Sequence, residues 1–316
     1  MPDARSEIDA VWRIESAKVV ARLVRIVRDV GLAEDLAQDA LVSALEQWPE
    51  SGVPDNPGAW LMAAAKHRAI DFLRRRRVFE GKQEEIVRRV EDRRNGTVDD
   101  LDAAIDDDIG DDLLRLMFIT CHPALSAEAR VALTLRLLGG LTAQEIARAY
   151  LVSEPTVAQR IVRAKRTLAE KGASLDVPRG PERAARWASV LEVIYLVFNE
   201  GYAATAGEDW MRPALCEEAL RLGRILASLA PQEPEVHGLV ALMEIQASRT
   251  GARTGLDGEP VLLLDQDRGR WDRVLIHRGL AALGRAEALG GAEGSYALQA
   301  AIAACHARAS TAAWRA

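Results

Sequence analysis

A chain of 316 residues that is 49% hydrophobic and 28% charged is long enough for two or three domains with real cores. A net charge of −6 excludes a surface coated uniformly with nucleic acid, so any nucleic-acid site must be a local basic patch on an acidic body. Aromatics at 5%, against abundant Ala, Leu and Arg, favour an all-α fold. No run approaches the ~18 apolar residues of a membrane span, and no apolar h-region follows a basic N-terminus. A cytoplasmic protein without a membrane partner is expected.

Residues 7 to 77 read as one compact helical unit, within a first domain at 1–78. Ile14, Val19, Leu23, Ile26 and Val27 recur at roughly helical spacing. Leu36, Ala40, Ala44 and Trp48 mark a second helix, whose other face carries Asp35, Gln38, Asp39 and Glu46. Such an acidic-polar stripe suits a basic partner helix, although a solvated face is the plainer reading. The loop WPESGVPDNPG follows. A third helix starts near Ala59, runs through Trp60, Leu61, Ala64, Ile70 and Leu73, and ends in Arg74 to Arg77. Lys66, Arg68, Asp71 and these arginines, beside Asn56 and Trp60, suit phosphate contact and capture of an unstacked base. The competing reading makes Trp60 core and lets the arginines simply end a helix.

Residues 79–111 read as an acidic linker. Asp99, Asp100, Asp102, Asp106, Asp107, Asp108 and Asp111 occur there, followed by Asp112, with no intervening Lys or Arg, and like charges repel. A second helical domain spans 112–172. Within it Leu141 to Leu168 holds two short amphipathic patterns joined by a tight connection. Ile146 and Ala147 lie on the first pattern, and Val157 and Ile161 on the second. Ser153 is a candidate N-cap, and Pro155 falls in the first turn, where its missing N–H costs nothing. The second helix exposes Thr156, Gln159, Arg160, Arg163, Lys165 and Arg166. Apolar residues to fix the helix, with Gln, Arg and Lys outward, suit a major-groove reader. The turn position that often carries Gly is Leu151, so the turn is either reshaped or strained.

A second linker spans 173–183. From 184 to 316, helical patterns recur near 184–199, 213–230, 233–249, 271–289 and 295–309, which predicts an extension of helical hairpins. Glu200, Tyr202, Asp265 and Asp267 are polar residues in apolar surroundings. They suit caps and turn bonds better than a ligand pocket. Cys121, Cys216 and Cys305 lie far apart, as isolated thiols do in a reducing compartment. Scattered histidines and the lack of any phosphate-binding Gly loop give no catalytic, metal or cofactor site, so no enzyme is expected.

The segments DLAQDAL, NPGAWLMAAAKHRAIDFLRRRR and EIARAYLVSEPTVAQRIVRAKRTL occur in that order. Together they resemble an extracytoplasmic-function (ECF) sigma factor of bacterial RNA polymerase, over residues 7–77 and 112–172. The resemblance implies a region 2 helical domain that binds core RNA polymerase through Asp35, Gln38 and Asp39. It places the −10 promoter element against Asn56, Lys66, Arg68, Asp71, Arg74 and Arg75. It implies a region 4 helix-turn-helix that reads the −35 element through Thr156, Gln159, Arg160, Arg163, Lys165 and Arg166. YLVFNEGY, LVALMEIQASR, LLLDQDRGRWDR and GSYALQAAIAACHA further resemble the tetratricopeptide-like C-terminal extension of one sigma-factor group, here shortened. That part implies a regulatory protein or ligand as a partner. Two rivals remain: a stand-alone helix-turn-helix regulator, which should dimerise on a palindrome, and a helical ligand-sensing scaffold.

Overall fold

The computed structural model describes residues 4–87, 109–171, 177–178, 180, 182–204, 211–255 and 258–309. Among them the fold is all-α, as expected. The helices are α1 (Ala4–Val27), α2 (Val30–Ser51), α3 (Pro57–Val87), α4 (Ile109–Thr120), α5 (Ala127–Leu137) and α6 (Ala143–Ala149). They continue as α7 (Glu154–Glu170), α8 (Glu182–Tyr202), α9 (Pro213–Leu229), α10 (Pro234–Ala247), α11 (Arg273–Ala288) and α12 (Ser295–Arg308). Extended pairing is limited to one isolated bridge, Thr254 to Pro260, among the described residues. None of the described helices is long and apolar enough to cross a membrane. The chain forms two compact units, Met1–Ile146 with Pro155–Arg186, and Ala147–Glu154 with Trp187–Ala316. The aspartates from Asp99 to Asp108 lie outside the described residues.

In the first unit α1 is the hub and packs against α2, α3 and α4. Its buried face runs through Ile8, Val19, Val20, Leu23, Val24 and Val27. Ile14, expected on that stripe, is 65% exposed. It precedes Leu23 by nine residues, and at about 100° per residue that places it on the opposite side of the helix. Asp29 caps α2 by accepting from the Leu32 N–H at 2.8 Å. Ala33, Leu36, Ala37, Ala40, Ala44 and Trp48 then form its buried stripe. Asn56 caps α3 in the same way, accepting from the Ala59 N–H at 3.1 Å. Leu61, Ala65 and Ala69 bury one line of α3. The helix does not stop at the arginine run but continues to Val87, through a stretch rich in the helix formers Lys, Gln and Glu.

Asp112 was expected at the edge of a solvated acidic run. It is instead 1% exposed, in the first turn of α4. Leu116, Met117, Phe118 and Ile119 make α4 strongly apolar, and its packing on α1 brings Asp112 to the Arg22 guanidinium at 2.9 Å. Arg25 at 3.7 Å and Arg115 at 3.3 Å complete the cluster. A buried carboxylate persists only when cations and hydrogen bonds replace its lost water. Arg186 closes this unit by donating to the Phe118 carbonyl at 2.9 Å while lying over the Phe118 ring.

In the second unit α10 is buried on nearly every side, and α9, α11 and α12 pack around it. Two glycines permit close helix approaches. A Cβ on Gly238 would lie 2.7 Å from the Ala297 nitrogen, and one on Gly279 would lie 2.6 Å from the Ile245 side chain. Trp271 is 3% exposed in the core formed with Leu242, Ile245, Ile276 and Ala304. Asp267 caps a 3-10 turn at Arg268–Arg270, and Asp272 caps α11. Glu200 is buried and pairs with Arg212.

Candidate nucleic-acid interface

A groove of about 500 Å³ opens between α2 and α3, and α3 supplies most of its polar wall: His67, Arg68, Asp71 and Arg75. Asp39 and Ser43 face them from α2. Trp60 forms part of the wall. It is half-buried and meets the buried Trp48 edge-on, with ring centroids 5.2 Å apart. It is thus neither fully core nor free, and offers part of an aromatic surface to the groove.

The expected polymerase and −10 residues partly engage one another. Arg68 donates to the Ser43 hydroxyl and lies 3.7 Å from the Asp39 carboxylate. The Gln38 amide donates to Glu34 Oε1 at 2.9 Å. Asp35, Asn56, Asp71, Arg74 and Arg75 are exposed, and Lys66 is half-buried.

The helix-turn-helix begins with a capping box that periodicity alone does not reveal. Thr142 Oγ1 accepts from the Glu145 N–H at 3.1 Å, and Glu145 Oε2 accepts from the Thr142 N–H at 2.8 Å. After α6 the chain turns at Leu151, which takes the left-handed conformation with φ of 50°. The Val152 N–H donates back to the Ala147 carbonyl at 3.0 Å, closing a Schellman turn around Leu151. Helix α7 buries Val157, Ile161, Ala164 and Leu168. Gln159, Arg163 and Arg166 stand exposed on its other side, and Thr156 and Arg160 are half-buried. Arg163 donates to Gln159 at 3.4 Å, and Arg166 pairs with Glu170 at 3.4 Å.

Lys165 differs from these neighbours. It pairs with Glu34 of α2, within the first unit, and Arg136 of α5 donates to the same carboxylate at 2.6 Å. Burial pushes the Glu34 carboxyl up, but Lys165 and Arg136 outweigh that effect and hold it below the ordinary carboxylate value. Glu34 was not among the residues expected from the sequence. Its signal was present: a carboxylate in register with Val30, Ala33, Ala37 and Ala40 sits on a buried stripe and must find a cation.

Comparison with known proteins fits this geometry. Residues 13–78 match the family model of Sigma-70 region 2, and residues 115–168 match that of Sigma-70, region 4. A probable ECF RNA polymerase sigma factor SigI of Mycobacterium tuberculosis is 27% identical over 56% of this chain and 59% of its own. The chain is an ECF-type sigma factor with a C-terminal extension. In this sigma factor, the region 2 match covers most of α1 to α3 with the whole α2–α3 groove, while the region 4 match covers most of α4 to α7. The extension matches a Family of unknown function (DUF6596) at residues 186–287. An uncharacterized protein of Rhizobium meliloti is 44% identical over 95% of this chain and 72% of its own, so its likeness includes the extension. No solved structure matches the chain. Among the described residues no group of His, Cys, Asp or Glu is arranged to hold a metal ion.

Proposed function

We propose that this sigma factor binds core RNA polymerase through the α2 face bearing Asp35, Gln38 and Asp39, and directs it to a two-element promoter. The α2–α3 groove with Asn56, Lys66, Arg68, Asp71, Arg74 and Arg75 handles the −10 element. Helix α7 reads the −35 element through Thr156, Gln159, Arg160, Arg163, Lys165 and Arg166. The observation that carries this reading is the two-sidedness of α7, whose apolar face is buried while Gln159, Arg163 and Arg166 stand outward. The sigma factor supplies recognition and strand opening, and polymerase supplies the bond-forming chemistry. Lys165 reaches a phosphate only when its pair with Glu34 opens, so promoter engagement competes with this pair. The extension tunes that activity through a protein or ligand partner.

Run-off transcription with purified core polymerase on a candidate promoter tests the reading. Transcripts that require both this protein and intact −10 and −35 elements support it. Binding to DNA as a dimer on a palindrome, with no effect on core polymerase, overturns it in favour of a stand-alone regulator.

A further inference from the structure

The second unit holds a cavity of about 390 Å³ that none of the proposed promoter or polymerase roles uses. Three helices converge on it. Tyr195, Phe198 and Tyr202 recur along one face of α8; Gln246 and Arg249 come from α10 and the turn after it; Ile302 and His306 come from α12. The walls are aromatic and aliphatic, and the charge is one-sided. Among the described residues that line the cavity there is one arginine and no carboxylate. Apolar surface continues outward from it. Ile302 is 66% exposed, and Leu262 and Leu264, on either side of the lining residue Leu263, are 74% and 59% exposed.

The polar groups of this wall are incompletely satisfied. Arg249 uses one terminal nitrogen to donate to the Tyr202 hydroxyl at 2.8 Å, but its Nε is buried without a hydrogen-bond partner. Gln246 Oε1 is likewise buried without one. A buried donor or acceptor left unmade is costly, so such a pair is normally completed by a ligand or ordered water. The guanidinium calls for an anion, best a planar carboxylate, and the Gln246 oxygen calls for a hydroxyl or N–H. The aromatic walls call for an apolar body, and the volume is that of a small-molecule pocket.

We propose that the extension binds a small organic acid in this cavity, with its carboxylate held by Arg249, a hydroxyl or N–H held by Gln246, and an aromatic or branched apolar body against Tyr195, Phe198 and Tyr202. This site stands apart from promoter recognition and does not depend on it. It makes the extension a receptor for a metabolite-sized acid rather than only a packing module.

Calorimetric titration of the full chain tests this, with 4-hydroxyphenylacetate and indole-3-acetate as probes against their neutral amides, within a panel of aryl and branched-alkyl monocarboxylates. The acids should bind saturably and about tenfold more tightly than the amides, the preference a charge-assisted bond confers. Arg249→Gln should erase that preference. Because Arg249 also supports Tyr202, Gln246→Leu serves as the second variant. It removes the unpartnered oxygen, so it should raise the melting temperature of the unliganded protein while weakening binding of the hydroxylated acid. No saturable binding across the panel, equal binding of acid and amide, or a preference that survives Arg249→Gln in a folded protein overturns the proposal.

Discussion

Glu34 is one of the buried carboxylates on which the first unit depends, because it neutralises two cations from different helices. Glu34→Gln keeps the shape but leaves Lys165 and Arg136 without a counter-charge. Losing one partner of a fully buried pair costs ~3–5 kcal/mol, and here the cations retain some solvent, so about 2 kcal/mol is expected. The sign with pH follows from the depressed value. The stabilisation is complete above the ordinary carboxylate value of 4.5 and fades as pH falls below it through the folded value. Urea denaturation at pH 7 should therefore separate the parent from Glu34→Gln, and the gap should close on acidification. A gap that stays constant to pH 3 would count against Glu34 as the titrating group. Asp35, the next residue, gives the contrasting case. It is exposed, so Asp35→Arg should leave stability unchanged and lower the affinity for core polymerase in a co-purification assay. Equal retention of core enzyme by both proteins would remove Asp35 from the polymerase-binding face. The difference between these neighbours is legible in sequence only through helical phase. Asp35 falls off the apolar stripe and Glu34 falls on it, but the partners of Glu34 lie 102 and 131 positions away, beyond the reach of any local pattern.

Helices were more legible than their partners. The five expected in the extension coincide closely with α8 to α12, because long runs of Ala, Leu and other helix formers between Gly and Pro punctuation leave little choice of element. Ile14 shows the limit of that reasoning, since an apolar residue half a turn out of phase looks like its neighbours until the angle is counted. Leu151 is the opposite case. The absence of Gly at the turn signalled either a reshaped turn or strain, and its left-handed φ settles on strain. A left-handed non-glycine residue costs about 1–2 kcal/mol, partly offset because glycine gives the unfolded chain more freedom. Leu151→Gly should therefore stabilise the protein by about 0.5 kcal/mol or more. Since Leu151 is 53% exposed, little packing is sacrificed. A lower denaturation midpoint would show that its side chain matters more than its backbone. On α7, charge reversal at Arg160 or Arg163 should weaken binding to promoter DNA and lower its salt slope by about one unit for each phosphate no longer neutralised. Filter binding across a salt series reads both quantities. Unaltered affinity and slope for both variants would overturn the proposal that α7 reads the −35 element.

At the scale of the molecule, the turn between α6 and α7 falls in one compact unit with the extension. Ala147–Glu154 belongs to the same compact unit as Trp187–Ala316. Within that unit the Tyr150 hydroxyl is buried without a hydrogen-bond partner, and burial raises its ionisation well above the usual phenol value. The charges that act on it are Glu200, which raises it further, and Arg212, which opposes. Both belong to the extension, and they form an ion pair with each other. Removing the chain beyond Gly180 would therefore expose Tyr150 and take away the packing around a turn that already carries a strained residue. The expected result is faster amide exchange at 147–154 than in the full chain, together with a changed level of transcription from the cognate promoter. Tyr150→Phe in the full chain separates packing from hydrogen bonding. It keeps the ring and deletes a hydroxyl that has no partner, so it should slow exchange at the turn or leave it unchanged. If truncation leaves both exchange at 147–154 and transcription as they were, the turn is held by α6 and α7 alone, and the extension is not an intramolecular regulator.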